Sequence, residues 1–380
     1  MRQGDDMKLH LSATSAMALA AALTATGASA IGLDRSNQDV TAIFEEGNVA
    51  ELSFGKVFVD LSGEDNAPAM DRYDDVGDDF TNAAASLKMD FGNGFSGALI
   101  IDQPFGADIS YEGEPTTPAA ASVFNGTMAH LDSRAVTAVG RYRLNENVSF
   151  HAGLRREWLE ADITLAGAGY AGLSGYRVEL AEDGANGYLV GAAYEKPEIA
   201  LRVALTYNSA IDHEFDTVET LSGNPLPPSK PTEVQTPEAW NLDMQTGIAP
   251  DTLAFANIRY ATYEDTRVSP EFFSDQTGGV SLTDIDDNYS IQVGIGRRFS
   301  DMFSGQAAIG FEPEGDERIS PLDPTDGKRW VSLGGAYNME AVTVSGGVRY
   351  TMLGDAEPRG AASFEDNSAL AVGMSVAYRF

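Results

Sequence analysis

The chain has 380 residues with 25 basic and 57 acidic side chains, a formal charge of −32. That charge argues against nucleic acid as a partner, since phosphates need a basic footprint, and the absence of cysteine excludes disulfide scaffolds, thiolate metal sites and cysteine nucleophiles. A mean hydropathy of −0.19 and the lack of a long apolar run after residue 30 exclude a helical membrane bundle, but not a β-barrel, whose alternating strands average to a hydrophilic composition.

Residues 1–30 read as a secretory signal. Met7-Lys8-Leu9-His10 supplies a basic start, Ala16 to Leu23 an apolar core, and Ala28-Ser29-Ala30 a cleavage site of small residues. The exported chain then begins at Ile31. Residues 31–50 fit no strand: Asp34, Arg35, Asn37, Gln38 and Asp39 are too polar for lipid, whereas Ile43, Phe44 and Val49 call for burial.

From there the chain alternates with period two. Strands are predicted at 51–60, 81–91, 95–102, 127–143, 148–161, 187–194, 199–212, 236–248, 252–263, 288–299, 303–311, 328–337, 342–351 and 369–380. The last is the clearest: Leu370, Val372, Met374, Val376, Tyr378 and Phe380 share one face, and Ala371, Gly373, Ser375, Ala377 and Arg379 the other. Tight links such as Gly92-Asn93-Gly94, Asn145-Glu146-Asn147 and Pro250-Asp251 alternate with long ones, as in transmembrane barrels. The seven long loops hold 34 acids against six bases, so most of the net charge sits on one rim. Those acids either chelate divalent cations bridging lipopolysaccharide or are simply solvated. The predicted fold is all-β: a 14-stranded antiparallel transmembrane β-barrel, residues 51–380. Such a cylinder is too wide for its own side chains to fill, which makes residues 31–50 an N-terminal hatch in the lumen.

In order and spacing, several segments resemble the FadL-type long-chain fatty acid transporters, the OMPP1/FadL/TodX outer-membrane family. Gly32-Leu33-Asp34-Arg35 is similar to the family's opening Gly-Leu-Gly-Arg, and Gln103-Pro104-Phe105-Gly106 to its Ser-Pro-Phe-Gly after the third strand. Gly140-Arg141-Tyr142-Arg143-Leu144-Asn145, Thr236-Pro237-Glu238-Ala239-Trp240 and Arg329-Trp330-Val331-Ser332-Leu333-Gly334 resemble its strand ends four, eight and twelve. Thr41-Ala42-Ile43-Phe44 stands just ahead of the family's hatch motif, where Glu46-Gly47-Asn48 replaces Asn-Pro-Ala. The resemblance implies a monomer in the Gram-negative outer membrane, among lipid and lipopolysaccharide. It also implies capture of a hydrophobic substrate by extracellular loops and a lumen site touching the N-terminus at Ile31. Exit would be sideways through a third-strand break at Gln103, Pro104, Phe105 and Gly106.

The residues allow this chemistry and its bland alternatives. Pro104 lacks a ladder donor and Gly106 permits a bend, although Pro and Gly also punctuate ordinary loop starts. Leu165, Tyr170, Leu173 and Tyr176, with Leu221 and Leu226 of a later loop, form either a capture surface or loops packed on each other. Arg155, Arg202, Arg259 and Arg298 face inward on the predicted registers. They suit either a fatty acid carboxylate or pairing with acids such as Asp39 and Glu45. At one of the family's basic positions this chain has Glu160. No metal, phosphate-loop or serine-hydrolase motif occurs, and His130, His151 and His213 are scattered. The expectation is a non-enzyme without catalytic residues, metal or cofactor, taking up fatty acids or other hydrophobic compounds. The alternative is a general porin for small polar solutes.

Overall fold

A computed structural model describes residues 33–69, 71–112, 122–283, 285–315 and 319–380. The predicted signal at 1–30 and Ile31 lie outside the described residues. Fourteen antiparallel strands run in sequence order: β1 Val49–Asp60, β2 Phe80–Gly92, β3 Phe95–Asp102 resumed by Gly106–Ser110, β4 Met128–Arg143, β5 Val148–Leu165, β6 Tyr176–Lys196 and β7 Leu201–Asn208. They continue as β8 Ala239–Ala249, β9 Thr252–Ala261, β10 Asn288–Arg298, β11 Phe303–Glu312, β12 Lys328–Met339, β13 Val342–Leu353 and β14 Ser368–Arg379. Closure is direct, with β1 paired to β14 from Val49↔Arg379 to Asp60↔Ser368 and to β2 on its other edge. A closed cylinder leaves no strand edge, the condition for crossing hydrocarbon with β-structure.

The pleat decides which way the cylinder faces. Along β14, Leu370 to Phe380 at even positions are 40–57% exposed, while Ala369, Ala371, Ser375 and Ala377 are at most 8% exposed. The same holds for Leu52, Phe54 and Phe58 on β1 and for Val331 and Leu333 on β12, all exposed. A water-soluble sandwich would turn these groups inward; here the large apolar side chains line the exterior, as they must against lipid. Aromatic pairs mark the rim of tight turns: Phe95 with Tyr142 at 4.6 Å and Phe303 with Tyr337 at 4.8 Å. The turn at Gly92-Asn93-Gly94 puts all three residues at positive φ, with values of 78°, 52° and 83°, which is why glycine flanks the asparagine.

Two elements differ from the sequence expectation. Strand six begins at Tyr176 rather than at 187, because its polar outer half continues the ladder with β5 to Leu165↔Tyr176. The loop expected at 162–183 therefore shrinks, and much of its charge lies on the outer wall of the sheet. Strand seven leaves the ladder after Asn208 and returns as Thr217–Leu221 to pair with β6. Between and after these pieces, Ile211–Phe215 pairs with Thr232–Thr236 in a separate hairpin.

The two largest apolar cores among the described residues lie in different places. The larger lies under the long loops and includes Tyr73, Tyr111, Phe124, Tyr176, Phe273 and Phe364. The other lies in the lumen, where Val40, Ile43 and Phe44 pack on small residues of the wall. Leu333→Arg, on the exterior of β12, is expected to cost about 2–4 kcal/mol of folding free energy. Reversible denaturant titration in lipid vesicles measures this, and a variant as stable as its parent would place that face in water.

Candidate functional site

Residues 33–48 lie inside the cylinder, held by the groups that make them unfit for lipid. The Arg259 guanidinium of β9 binds Asp34 bidentately, Nε to Oδ2 at 2.6 Å and Nη2 to Oδ1 at 2.7 Å. Its Nη1 donates to the Asn37 carbonyl at 3.1 Å, which also accepts from Asn241 Nδ2 at 2.9 Å. Arg155 of β5 donates to Thr137 Oγ1 at 3.0 Å, to Asn208 Oδ1 at 3.2 Å and to the Gln38 carbonyl at 3.5 Å. Glu45 pairs with Arg379 at 3.0 Å.

A 3-10 turn, Thr41–Phe44, presents the apolar residues of this segment to the wall. Val40, Ile43 and Phe44 dock on Ala98, Ile100, Val139, Leu189, Ala193 and Ala204. Two guanidinium groups lie over the Phe44 ring, Arg141 at 4.7 Å and Arg202 at 4.9 Å, and His151 meets it edge-on at 5.4 Å. Desolvated cation–π contacts of this kind contribute up to about 2 kcal/mol each. Glu46 is exposed, Gly47 turns the chain at φ 71° and accepts from Lys88 Nζ at 2.8 Å, and Asn48 Oδ1 accepts from the Asp90 amide at 2.9 Å.

The wall is interrupted where the sequence places Gln103-Pro104-Phe105-Gly106. The ladder between β3 and β4 passes from Asp102↔Ala135 to Gly106↔Asp132, so three residues face two. This is a β-bulge, built where Pro104 has no amide to donate. Ser133 Oγ bridges it, accepting from the Phe105 amide at 2.8 Å and donating to the Phe105 carbonyl at 2.6 Å. Toward β2, Gln103 Oε1 accepts from the Ala83 amide at 3.1 Å. Inside, the N-terminal segment completes the strand: the Arg35 amide donates to the Pro104 carbonyl at 2.8 Å, and the Gly106 amide to the Leu33 carbonyl at 2.9 Å. Gly106 is required by proximity, since a Cβ there would lie 2.1 Å from Arg35 Nε. The Arg35 guanidinium stacks on Phe80 at 3.9 Å and pairs with Asp108 at 2.6 Å.

Cavities of contrasting character flank this junction. An apolar cleft with about 480 Å³ of empty space is lined by Leu33, Ala129, Leu131, Ile163, Val268 and Leu322. A cavity of about 120 Å³ lies beside the segment, lined by Ser36, Asp39, Glu51, Ser53, Asp102 and Arg202 among others.

Above them the long loops close the cylinder. Leu165, Tyr170 and Tyr176 are buried in the loop core, and Leu173, Leu221 and Leu226 pack against it. In the structure these side chains pack on one another. Glu219 ties loops together, accepting from Tyr176 Oη at 2.6 Å and from the Phe272 and Phe273 amides at 3.0 and 3.1 Å, in the first turn of the helix Glu271–Thr277. Asp65 does the same for Tyr73 Oη at 2.6 Å and the Val123 amide at 2.8 Å, and burial pushes its carboxyl above the usual range.

Arg155, Arg202 and Arg259 are thus brought together around the segment, whereas Arg298 sits at the turn rim, paired with Asp251. Four further residues, Arg141, His151, Ser133 and Glu219, are not among the site residues expected from sequence. Alternation through β4 and β5 gives Arg141 and His151 the parity of the inward Thr137 and Arg155, so the strand pattern itself carries a signal for those two. Ser133 shares the parity of Thr137 on β4 as well, whereas Glu219 carries no such signal.

No family profile and no curated protein matches this chain. Solved structures do: a Pseudomonas aeruginosa FadL homologue at TM-score 0.70 and 12% identity, covering 97% of this chain and 98% of that one. The Pseudomonas putida toluene transporter TodX follows at TM-score 0.65 and 12% identity, covering 95% and 98%. The Ralstonia pickettii toluene transporter TbuX superposes at 0.62 and 12% identity, covering 94% and 97%. At such identity the likeness establishes the fold: that of the FadL-type channels.

Removing Asp34 leaves a buried guanidinium without its carboxylate, a loss of about 3–5 kcal/mol. Asp34→Ala is therefore expected to free residues 33–48 for cleavage by protease in the purified barrel, and Asp34→Ala with Arg259→Met to restore much of the protection. Undiminished protection in the single variant would mean that this pair does not hold the segment.

Proposed function

We propose that the chain is an outer-membrane channel of the FadL type, a non-enzymatic monomer that admits hydrophobic compounds by passive diffusion. The observation that carries this reading is the junction at the β3 break, where the N-terminal segment makes the backbone bonds that the wall lacks, beside an apolar cleft. The exposed apolar exterior supports the location, and the FadL-type fold supports the class.

In this reading the loops capture the substrate when their core parts, and the cleft receives it. The segment up to Asn48 acts as a hatch, with Phe44 seated in its cage and Glu46-Gly47-Asn48 forming the flexible attachment to β1. Val49 and Ala50, assigned to the hatch from sequence, are already paired in the wall. The substrate leaves sideways past Gln103, Pro104, Phe105 and Gly106 into the membrane. Apolar groups gain about 0.8 kcal/mol per methylene on entering an apolar phase, so lateral release is downhill and avoids periplasmic water. Between long-chain fatty acids and other hydrophobic compounds, the lumen favours the second. Arg155, Arg202 and Arg259 are engaged by the segment or the wall rather than held ready for a carboxylate. The filled lumen also argues against a general porin, which needs an open aqueous path.

Uptake of radiolabelled dodecane and oleate by cells with and without the gene tests the proposal. Gene-dependent entry of dodecane is expected, slowed several-fold by Pro104→Ala with Gly106→Ala. Equal entry with and without the gene would overturn the channel reading, and equal entry in parent and variant would reject the lateral exit alone. In planar bilayers the parent is expected to conduct little; steady large conductance would favour the porin.

A further inference from the structure

The wall has a second interruption, between β6 and strand seven. Their ladder runs to Leu189↔Asn208 and resumes only at Leu180↔Thr217. Single backbone bonds tie its two ends, from the Ser209 amide to the Tyr188 carbonyl at 2.9 Å and from the Ala181 amide to the Asp216 carbonyl at 3.0 Å. Between them, residues 182–187 of β6 and 210–215 of the arch that faces them form no ladder pair among the described residues. Tyr188, exposed on the exterior like Trp240 and Tyr260, stands at the turn-side edge of this gap. Such rings mark the limit of the apolar band, which puts the gap at headgroup depth.

The arch turns Ile211, His213 and Phe215 inward, each at most 2% exposed, and leaves Asp212, Glu214 and Asp216 in solvent. Ile211 sits against Gly187, where a Cβ would lie 2.6 Å from its Cγ1. His213 reaches two strands: Nδ1 is 3.0 Å from Asp183 Oδ2 on β6, and Nε2 is 3.4 Å from Glu157 Oε1 on β5. The side chains of His213 and Glu157 are fully buried, and that of Asp183 is 29% exposed. Across the hairpin His213 meets Val234, which brings no charge, and Glu233 is exposed. The next inward cation of β5, Arg155, is engaged by Thr137 and Asn208. Opposite ring nitrogens meet different carboxylates, and no acids and histidines among the described residues converge as metal ligands would.

A neutral imidazole has one N–H and one bare nitrogen. Between two ionised carboxylates it can donate to only one, and its lone pair would face the other. Asp183 is partly solvated, whereas Glu157 Oε2 is buried with no other partner among the described residues. Glu157 is therefore the carboxylate least able to stay charged against a lone pair. We propose that residues 209–216 are a strap held shut over the gap by a proton shared between His213 Nε2 and Glu157 Oε1. Losing that proton releases the strap from β6 and opens the wall sideways. Closure takes up a proton, so raising the pH weakens it. This inference stands independently of the channel reading.

Hydrogen exchange of the Ala181, Tyr188 and Ser209 amides, which bond across the gap, tests the strap in lipid nanodiscs. Protection relative to the free-chain rate at each pH is expected to fall about tenfold or more between about pH 5 and about pH 9, the scale of one hydrogen bond to a charged group. The amides of β14 should stay protected throughout. Glu157→Gln supplies an N–H for the bare Nε2, so its strap should be as protected at the higher pH as at the lower. His213→Ala should leave these amides poorly protected at both. Heat-modifiable gel mobility verifies that both variants fold. Equal protection of the parent at the two pH values, a Glu157→Gln variant as sensitive as the parent, or His213→Ala matching the parent would each overturn the proposal.

Discussion

A cylinder of fourteen strands is wider than its own side chains can fill, and its inner face is polar. Water would occupy that space unless another part of the chain did so with matched partners. The bidentate contact of Arg259 with Asp34 is the strongest of those matches, because both groups are fully desolvated. Neither is tolerable alone, since a buried charge without its partner destabilises by several kcal/mol. Together they commit residues 33–48 to the lumen and fix which wall they touch. The Phe44 cage and the pairing of Glu45 with Arg379 follow from that placement.

The same placement explains the interrupted strand. Pro104 removes a donor from β3 and the bulge leaves backbone groups that hydrocarbon would not forgive. Ser133 satisfies Phe105 from the neighbouring strand, and Leu33 and Arg35 satisfy Pro104 and Gly106 from inside. Segment and wall are thus halves of one hydrogen-bonded unit. Withdrawal of the segment would expose the break, and widening of the break would loosen the segment. The loops form a second cluster, joined through Glu219 and Asp65.

Much of this is legible in the amino-acid sequence because lipid imposes a simple rule. Large groups at even positions of β14 and small ones between them leave one arrangement for a strand in a membrane, and the tight turns count the hairpins. The inward N-terminal segment is legible from polarity mixed with Ile43 and Phe44. Less legible is anything decided by one strand's relation to a distant one. The upper half of β6 is polar on its outer face, so it reads as loop, yet its pairing with β5 continues past Asp162↔Glu179. Leu165, Tyr170 and Tyr176 suggest a sticky surface in sequence, whereas their neighbours Phe124, Phe272 and Phe273 come from loops far along the chain.

The account stands on residues 33–48 being bonded to the inside of the wall at the β3 break. Hydrogen exchange of the unmodified protein in lipid nanodiscs measures this directly through the amides of Arg35 and Gly106. If the account is right, both exchange as slowly as the ladder amides of β4 and β14. Exchange of these two amides at the rate of a free chain, with the barrel strands still protected, would contradict it.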